Sequence, residues 1–206
     1  MTELFVSALA TLFVVIDPPG CAPIYSGLTA GATEPERRRM AVRSILVAGS
    51  VLLVFALFGR PLLGALGISL DAFRLAGGIM LFIIALEMVF EKRTERREAR
   101  AEEVEQADMD DVAVFPMGIP MIAGPGSIAA IMLLMADAPD WTARLVVLGA
   151  LALTLLATLV ALLLAGPLLK FLGQKLEAMI TRLLGVILGA LAAQFVLDGI
   201  GGALLA

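Results

Sequence analysis

The sequence predicts an all-α membrane protein of six transmembrane helices, arranged as a 3+3 inverted repeat with spans 1 and 4 broken near the midplane. First, 60% of the 206 residues are apolar and only 17% are charged, more apolar surface than a soluble fold of this length can bury. Second, the chain contains six apolar segments of membrane length. Third, two of these segments carry matching helix-breaking motifs 106 residues apart, at 16–21 and 122–127.

The six spans follow from the length of each apolar segment. A helix needs about 20 apolar residues to cross the roughly 30 Å hydrocarbon core of a bilayer. The first and fourth segments are long enough to contain two half-helices each. The third is the weakest, because Glu87 follows only twelve uncharged residues, and the fifth is the clearest, because Leu145 to Leu169 contains no charge. The predicted spans are 3–30, 41–66, 72–90, 112–136, 143–169 and 180–203.

The spans divide into two three-helix units, residues 1–90 and 112–206, which are joined by a charged linker at 91–111. The linker contains five Lys or Arg residues against nine Asp or Glu residues. We predict a solvated acidic connection. The alternative is a brief extension of the third helix through Glu91/Glu95 and Arg96/Arg100 pairing. This acidic balance gives no reason to expect a nucleic-acid partner.

The orientation follows from the Lys and Arg residues near the span ends. The connections between spans 1 and 2, 3 and 4, and 5 and 6 hold twelve of these residues, whereas the other side holds only Arg60, Arg74 and Arg144. We therefore place the 91–111 linker in the cytoplasm and both termini on the periplasmic side.

The two halves are related by an internal repeat. At the offset of 106 residues, Pro61-Leu62-Leu63 falls on Pro167-Leu168-Leu169. After a two-residue insertion, Arg74-Leu75-Ala76-Gly77 meets Arg182-Leu183-Leu184-Gly185. Because each half has three spans, the second half enters the membrane from the opposite face, which makes the repeat an inverted one.

The first break has the composition of a helix start inside a span. Asp17 is a suitable N-cap, and a proline after it suits the first helical position. The N–H groups of Gly20 and Cys21 then lie near the N-terminus of a half-helix. In hydrocarbon such a break must face protein or a watery cavity, because every backbone polar group needs a partner.

The second break repeats this design without a carboxylate. Gly124 can cap, Pro125 can open the half-helix, and Gly126 and Ser127 supply N–H groups and a hydroxyl. Two such N-termini form a positive pocket suited to a carboxylate, and the carbonyls freed by the prolines suit an ammonium group. We therefore expect a small zwitterionic solute, bound by Asp17, Pro19, Gly20, Cys21, Gly124, Gly126, Ser127 and Gln194.

Three residues are candidates for gating or coupling: Asp17, Arg74 and Arg182. Each candidate has a structural alternative. Asp17 would serve only as a cap, and the two arginines would snorkel to the interface. Likewise Gln194, one of the predicted binding residues, would only join helices. The breaks themselves would then be kinks packed tightly on neighbouring helices.

At these residues the chain resembles the MarC family of bacterial membrane proteins, which includes small neutral amino acid transporters. The resemblance covers essentially the whole length and rests on four motifs. Cys21 stands where the family pattern usually carries asparagine. The motifs are D-P-P-G-x-x-P at 17–23, F-R-L-A-G-G-I at 73–79, I-A-G-P-G-S-I at 122–128, and R-L-L-G-x-I-L-x-A-L-A-x-Q-F-x-x-D-G-I at 182–200.

The resemblance implies a multi-pass protein of the cell inner membrane that moves glycine- or alanine-sized amino acids by alternating access. It also implies ion coupling, with Na⁺ or H⁺ as candidate ions and no other cofactor. The chain has no His and one Cys, so we expect neither a metal site nor catalytic residues. The alternatives are an assembly or regulatory protein without transport activity and, less favoured, an intramembrane enzyme acting on a lipid-linked substrate. The expected partners are the solute and the lipid bilayer, and homo-oligomerisation is left open.

Overall fold

The computed structural model describes residues 1–93, 95–97 and 113–205, with backbone alone for 169–172, 174, 175, 177 and 205. The described residues are mostly helical and contain no strand. Residue 94 and residues 98–111 of the predicted linker lie outside them. The helices are α1 (Thr2–Ile16), α2 (Pro18–Leu28), α3 (Glu34–Ala65), α4 (Leu70–Val89), α5 (Pro125–Asp137), α6 (Trp141–Leu163) and α7 (Ala165–Leu205), which is kinked at Gly173, where φ is 68°. An irregular helical segment, Ala113–Ile122, precedes α5.

Each of the six predicted spans coincides with a segment of the described chain that is long and apolar enough to cross a membrane. Five of these segments are helical: Thr2–Leu28, Glu34–Ala65, Leu70–Val89, Trp141–Leu163 and Ala178–Leu204. The sixth is the pair formed by Ala113–Ile122 and α5, whose axes differ by 53°. An all-helical membrane protein with five to six spans is therefore confirmed.

Two span boundaries differ from the predictions by more than two residues. Helix α3 begins at Glu34 rather than at residue 41, because the Glu36 carboxylate accepts a 2.8 Å hydrogen bond from the Thr33 N–H and so stabilises the helix start. The fifth span ends at Leu163 rather than at residue 169. Pro167 has no N–H to donate to the Leu163 carbonyl, so the helix cannot continue unchanged.

The outer surface of the helices is apolar. Val54, Phe58, Val186 and Leu197 are each more than half exposed, at 54, 62, 62 and 63%. A soluble monomer rarely exposes apolar residues in such number and continuity. These faces are those expected to contact lipid.

Glycines allow the closest contact between two helices. Helix α4 packs along α7 more extensively than any other described pair of elements. A Cβ at Gly185 would lie 2.8 Å from Met88 Cβ, and one at Gly199 would lie 2.7 Å from Leu75 N. Small residues let membrane helices approach until their backbones touch. The α4–α7 pair therefore forms the most extensive helix–helix interface of the described fold.

We expect Gly78→Ala to lower the free energy of unfolding by about 1–3 kcal/mol. A Cβ at Gly78 would lie 2.9 Å from both Ala192 O and Val196 N, which are backbone atoms, so α4 and α7 would have to separate. Gly149→Ala on α6 is the matched control, since a Cβ there meets nothing within 4 Å. Thermal denaturation compares the two variants, and equal melting temperatures would contradict the close contact.

Candidate functional site

The second predicted break and the residue just before the first one border one cavity of about 160 Å³. The C-terminal end of α1 contributes Val15, and the start of α5 contributes Gly124, Gly126 and Ser127. The remaining polar lining comes from a segment that follows α4, residues 91–93 and 95–97, which we call the arginine segment. Its cavity-lining residues are Arg93, Arg96 and Arg97.

Asp17 lies between α1 and α2 in the left-handed backbone region, with φ 60° and ψ 67°. Aspartate tolerates this region better than most residues do. Its carboxylate accepts a 3.2 Å hydrogen bond from Gly20 N–H, so it is the N-cap of α2, and Pro18 occupies the first turn as expected. A Cβ on Gly20 would lie 2.2 Å from Asp17 Oδ2, so only glycine leaves room for this cap.

The Asp17 side chain is fully buried and ion-paired. Arg97 Nη1 lies 3.3 Å from Asp17 Oδ2, and the side chains of the two residues are 6 and 1% exposed. Asp17 itself does not line the cavity, whereas Arg97 does. The Asp17 carboxylate, which the sequence predicted to bind the solute, therefore already has its negative charge neutralised by Arg97.

The arginine segment also satisfies the carbonyls that the first break leaves without partners. The carbonyl of Val15 would normally accept from residue 19, but Pro19 has no N–H. Arg93 Nη2 supplies the missing hydrogen bond at 2.6 Å. The carbonyl of Ile16 accepts from Arg97 Nη2 at 3.3 Å. Cationic groups are also favoured at the C-terminal end of a helix such as α1.

Arg93 and Arg97 are the residues that sequence reasoning missed. We predicted a solvated linker over 91–111, yet Arg93 is only 7% exposed and Arg97 only 5%. The chain turns sharply at Glu91, where φ is 62°, so the segment is not a straight extension of α4 either. The available signal was their i,i+4 spacing, which places both side chains on one face of a helical turn.

Arg93 keeps its charge in this setting. Burial, and secondly the charge of Arg97, lower the pKa of the Arg93 guanidinium to about 9, which leaves it protonated at neutral pH. Its two hydrogen-bond acceptors, Val15 O and Met88 Sδ, are both neutral.

The second break has the predicted helix start. Gly124 is the N-cap of α5, Pro125 opens its first turn, and Ile128 N–H bonds to Gly124 O at 3.0 Å. The N–H groups of Gly126 and Ser127 precede the first intrahelical hydrogen bond and so have no partner within α5. A Cβ on Gly124 would lie 2.4 Å from Pro120 O, and one on Gly126 would lie 2.5 Å from Ile84 Cδ1. Glycine at these two positions keeps the turn and the packing intact.

The other predicted site residues lie away from this cavity. Pro19 and Cys21 belong to α2 and do not line it, although Cys21 Sγ contacts Ile16 O at 3.6 Å. Gln194 is exposed and donates to Asp198 Oδ1 at 2.7 Å. Arg74 pairs with Asp71 at 3.0 Å and with Asp137, while Arg182 pairs with Glu91. Both arginines therefore make ion pairs elsewhere, and Arg182 contacts the residue at which the arginine segment turns.

Two larger cavities, of about 430 and 520 Å³, lie elsewhere in the described fold. Arg60, Trp141 and Arg144 line the first, and Tyr25, Glu34 and Arg37 are among the residues that line the second. Neither cavity is lined by the first residues of α5 or by the arginine segment. Of these three cavities, the smallest is therefore the one lined by the start of α5 and by the arginine segment.

Comparison with known proteins gives full-length matches. The family model described as "MarC family integral membrane protein" matches residues 2–204. A membrane protein of Methanocaldococcus jannaschii is 39% identical over 98% of each chain, and one of Archaeoglobus fulgidus is 33% identical over 96% of this chain and 92% of its own. The inner membrane protein YhgN of Escherichia coli K12 is 36% identical over 97% of each chain. No solved structure matches the sequence.

Proposed function

The chain belongs to the MarC family of integral membrane proteins, and on that premise we propose that it is a secondary transporter of small solutes. One observation carries the proposal: the C-terminal end of α1 and the N-terminal end of α5 border the same cavity. Solute sites of secondary transporters are formed by such interrupted helices, whose freed backbone groups contact the solute. Alternating access would expose this cavity to each side of the membrane in turn.

We infer that the solute is a small neutral amino acid such as glycine or alanine. The cavity of about 160 Å³ has the volume of roughly five liquid water molecules, which suits a solute of this size. The amino-acid class itself comes from the family resemblance. Na⁺ or H⁺ remains the proposed coupling ion, and Asp17 is its candidate ligand once Arg97 has moved away.

We also propose that the two halves form the 3+3 inverted repeat, with breaks near the midplane. Two features support this architecture. Both α2 and α5 begin with a capping residue followed by proline, and the third and sixth spans, which would be symmetry mates, pack along each other as α4 and α7. The basic-residue bias supports an orientation with the arginine segment on the cytoplasmic side and both termini in the periplasm.

Counterflow in proteoliposomes tests the transport function. Protein reconstituted into vesicles preloaded with unlabelled alanine or glycine is expected to accumulate the radiolabelled amino acid. Gly126→Leu should reduce the rate by at least about tenfold, equivalent to about 1.4 kcal/mol in the transport barrier, because the new side chain fills the cavity beside Ile84. Gly149→Leu, which meets open space, should transport at the wild-type rate.

The outcomes separate the competing functions. Absence of flux across a broad panel of small solutes would overturn the transporter and favour an assembly or regulatory role. Equal flux in Gly126→Leu and wild type would leave transport standing but contradict this cavity as the site.

A further inference from the structure

The charges around the cavity do not balance. Three arginines line it, and no carboxylate does so among the described residues. Arg97 is paired with Asp17, and Arg96 is paired with Glu87 at 2.7 Å. Arg93 has no carboxylate within ion-pairing distance in the described part of the chain. Counted over the described residues, the site therefore carries one positive charge in excess.

The excess charge belongs to Arg93, which is buried. An ion removed from water without a counterion is strongly disfavoured, so buried charges are normally paired. The hydrogen bonds from Arg93 to Val15 O and Met88 Sδ satisfy two of its donors but do not neutralise it. An anion entering the cavity would supply the missing charge.

The wall contributed by α5 also presents donors. The N–H groups of Gly126 and Ser127 are unpaired within the helix, and α5, with 13 residues, is long enough to add its dipole. Ser127 is 3% exposed and lines the cavity, so its hydroxyl is a further candidate donor. Val15 and Ile84 supply apolar walls. A guanidinium and two backbone N–H groups are the groups that bind a carboxylate.

We propose that Arg93 anchors the carboxylate of the solute against the first turn of α5, and that this carboxylate, rather than the solute's ammonium group, dominates recognition. The inference rests on the proposed transport function and adds a specific determinant to it. Arg97 already pairs with Asp17 and donates to the Ile16 carbonyl, so these two acceptors of the first break are not free to bind the ammonium group of the solute. A small monocarboxylate without an ammonium group should therefore also bind at this site.

Titration calorimetry of the full chain in lipid nanodiscs tests this assignment. The ligands are alanine, propionate, which lacks the ammonium group, alaninamide, which lacks the carboxylate, and inorganic phosphate. Wild type should bind alanine and propionate with dissociation constants within about tenfold of each other, or about 1.4 kcal/mol, and bind alaninamide and phosphate much more weakly.

Substitutions at Arg93 identify the anchor. Arg93→Gln should weaken alanine and propionate binding by about 30-fold or more, as expected for removing a buried charged partner, while Arg93→Lys should recover part of the affinity. Arg60→Gln, in the separate 430 Å³ cavity, is the control and should bind as wild type does. Within the described residues Arg93 makes no ion pair and Asp17 keeps its pair with Arg97, so thermal denaturation should show that Arg93→Gln remains folded.

Each outcome bears on one proposal. Unchanged alanine binding in Arg93→Gln, or alaninamide binding as tight as alanine binding, would overturn the carboxylate anchor even if counterflow persists. Phosphate binding as tight as propionate binding would overturn the carboxylate assignment in favour of a general anion site. Arg93-dependent propionate binding without flux of any solute would support the anchor and remove the transport function instead.

Discussion

Arg97→Gln is expected to lower the free energy of unfolding by about 3–5 kcal/mol, because it strands the Asp17 carboxylate in the protein interior. The two side chains lie 3.3 Å apart and are 6 and 1% exposed, so water cannot replace the lost guanidinium. The Ile16 carbonyl loses a donor in the same step. Thermal or detergent-induced unfolding of the purified protein measures the change.

A double-mutant cycle isolates the ion pair. Asp17→Asn retains a capping side chain, so its cost should come mainly from stranding Arg97. The double variant Asp17→Asn, Arg97→Gln should recover most of the stability that either single variant loses. Arg182→Gln is the matched control, since its pair with Glu91 is about half exposed and should be worth less than about 1 kcal/mol. Additive losses in the double variant would contradict coupling between the two charges.

The helical spans and both helix starts could be predicted because they depend on local sequence. Apolar length identifies the spans, and a capping residue followed by proline identifies the starts at Asp17 and Gly124. The early start of α3 was missed because hydropathy alone ignores Glu36, whose carboxylate caps a charged first turn. Each of these features is determined by neighbours within four residues.

The arginine segment could not be placed because its burial depends on distant residues. The sequence shows that Pro19 leaves the Val15 carbonyl without its usual donor, but not that Arg93, 78 residues away, supplies one. The acidic composition of 91–111 predicts solvation, and only the turn at Glu91 brings two of its cations inside.

The matched arginines show the limit of reasoning from the repeat. Arg74 and Arg182 align when the two halves are compared in sequence, so the predicted repeat suggested a shared role at the site. Each instead finds a carboxylate outside the cavity, Asp137 for the first and Glu91 for the second. The sequence offset only predicts a correspondence between the halves, whereas the ion-pair partner of each arginine is determined by tertiary contacts that differ between them.

Gly20→Ala is the second substitution with a large expected effect, and two principles predict opposite signs for it. Alanine is the better helix former by about 1 kcal/mol, so propensity alone predicts a gain in α2. The added Cβ, however, would lie 2.2 Å from Asp17 Oδ2 and 2.8 Å from Asp17 Cγ. The carboxylate would have to leave both its cap and Arg97, so we expect a net loss on the order of 3 kcal/mol.

Gly27→Ala in the same helix separates the two effects, because a Cβ there meets nothing within 4 Å. It should be neutral or stabilising by up to about 1 kcal/mol, whereas Gly20→Ala should melt at a clearly lower temperature and lose alanine counterflow. In an Asp17→Gly, Arg97→Gln background the penalty at Gly20 should vanish, since no carboxylate remains to be displaced. A penalty that persists in that background would mean that Gly20 is required by the backbone of α2 and not by the ion pair beside the cavity.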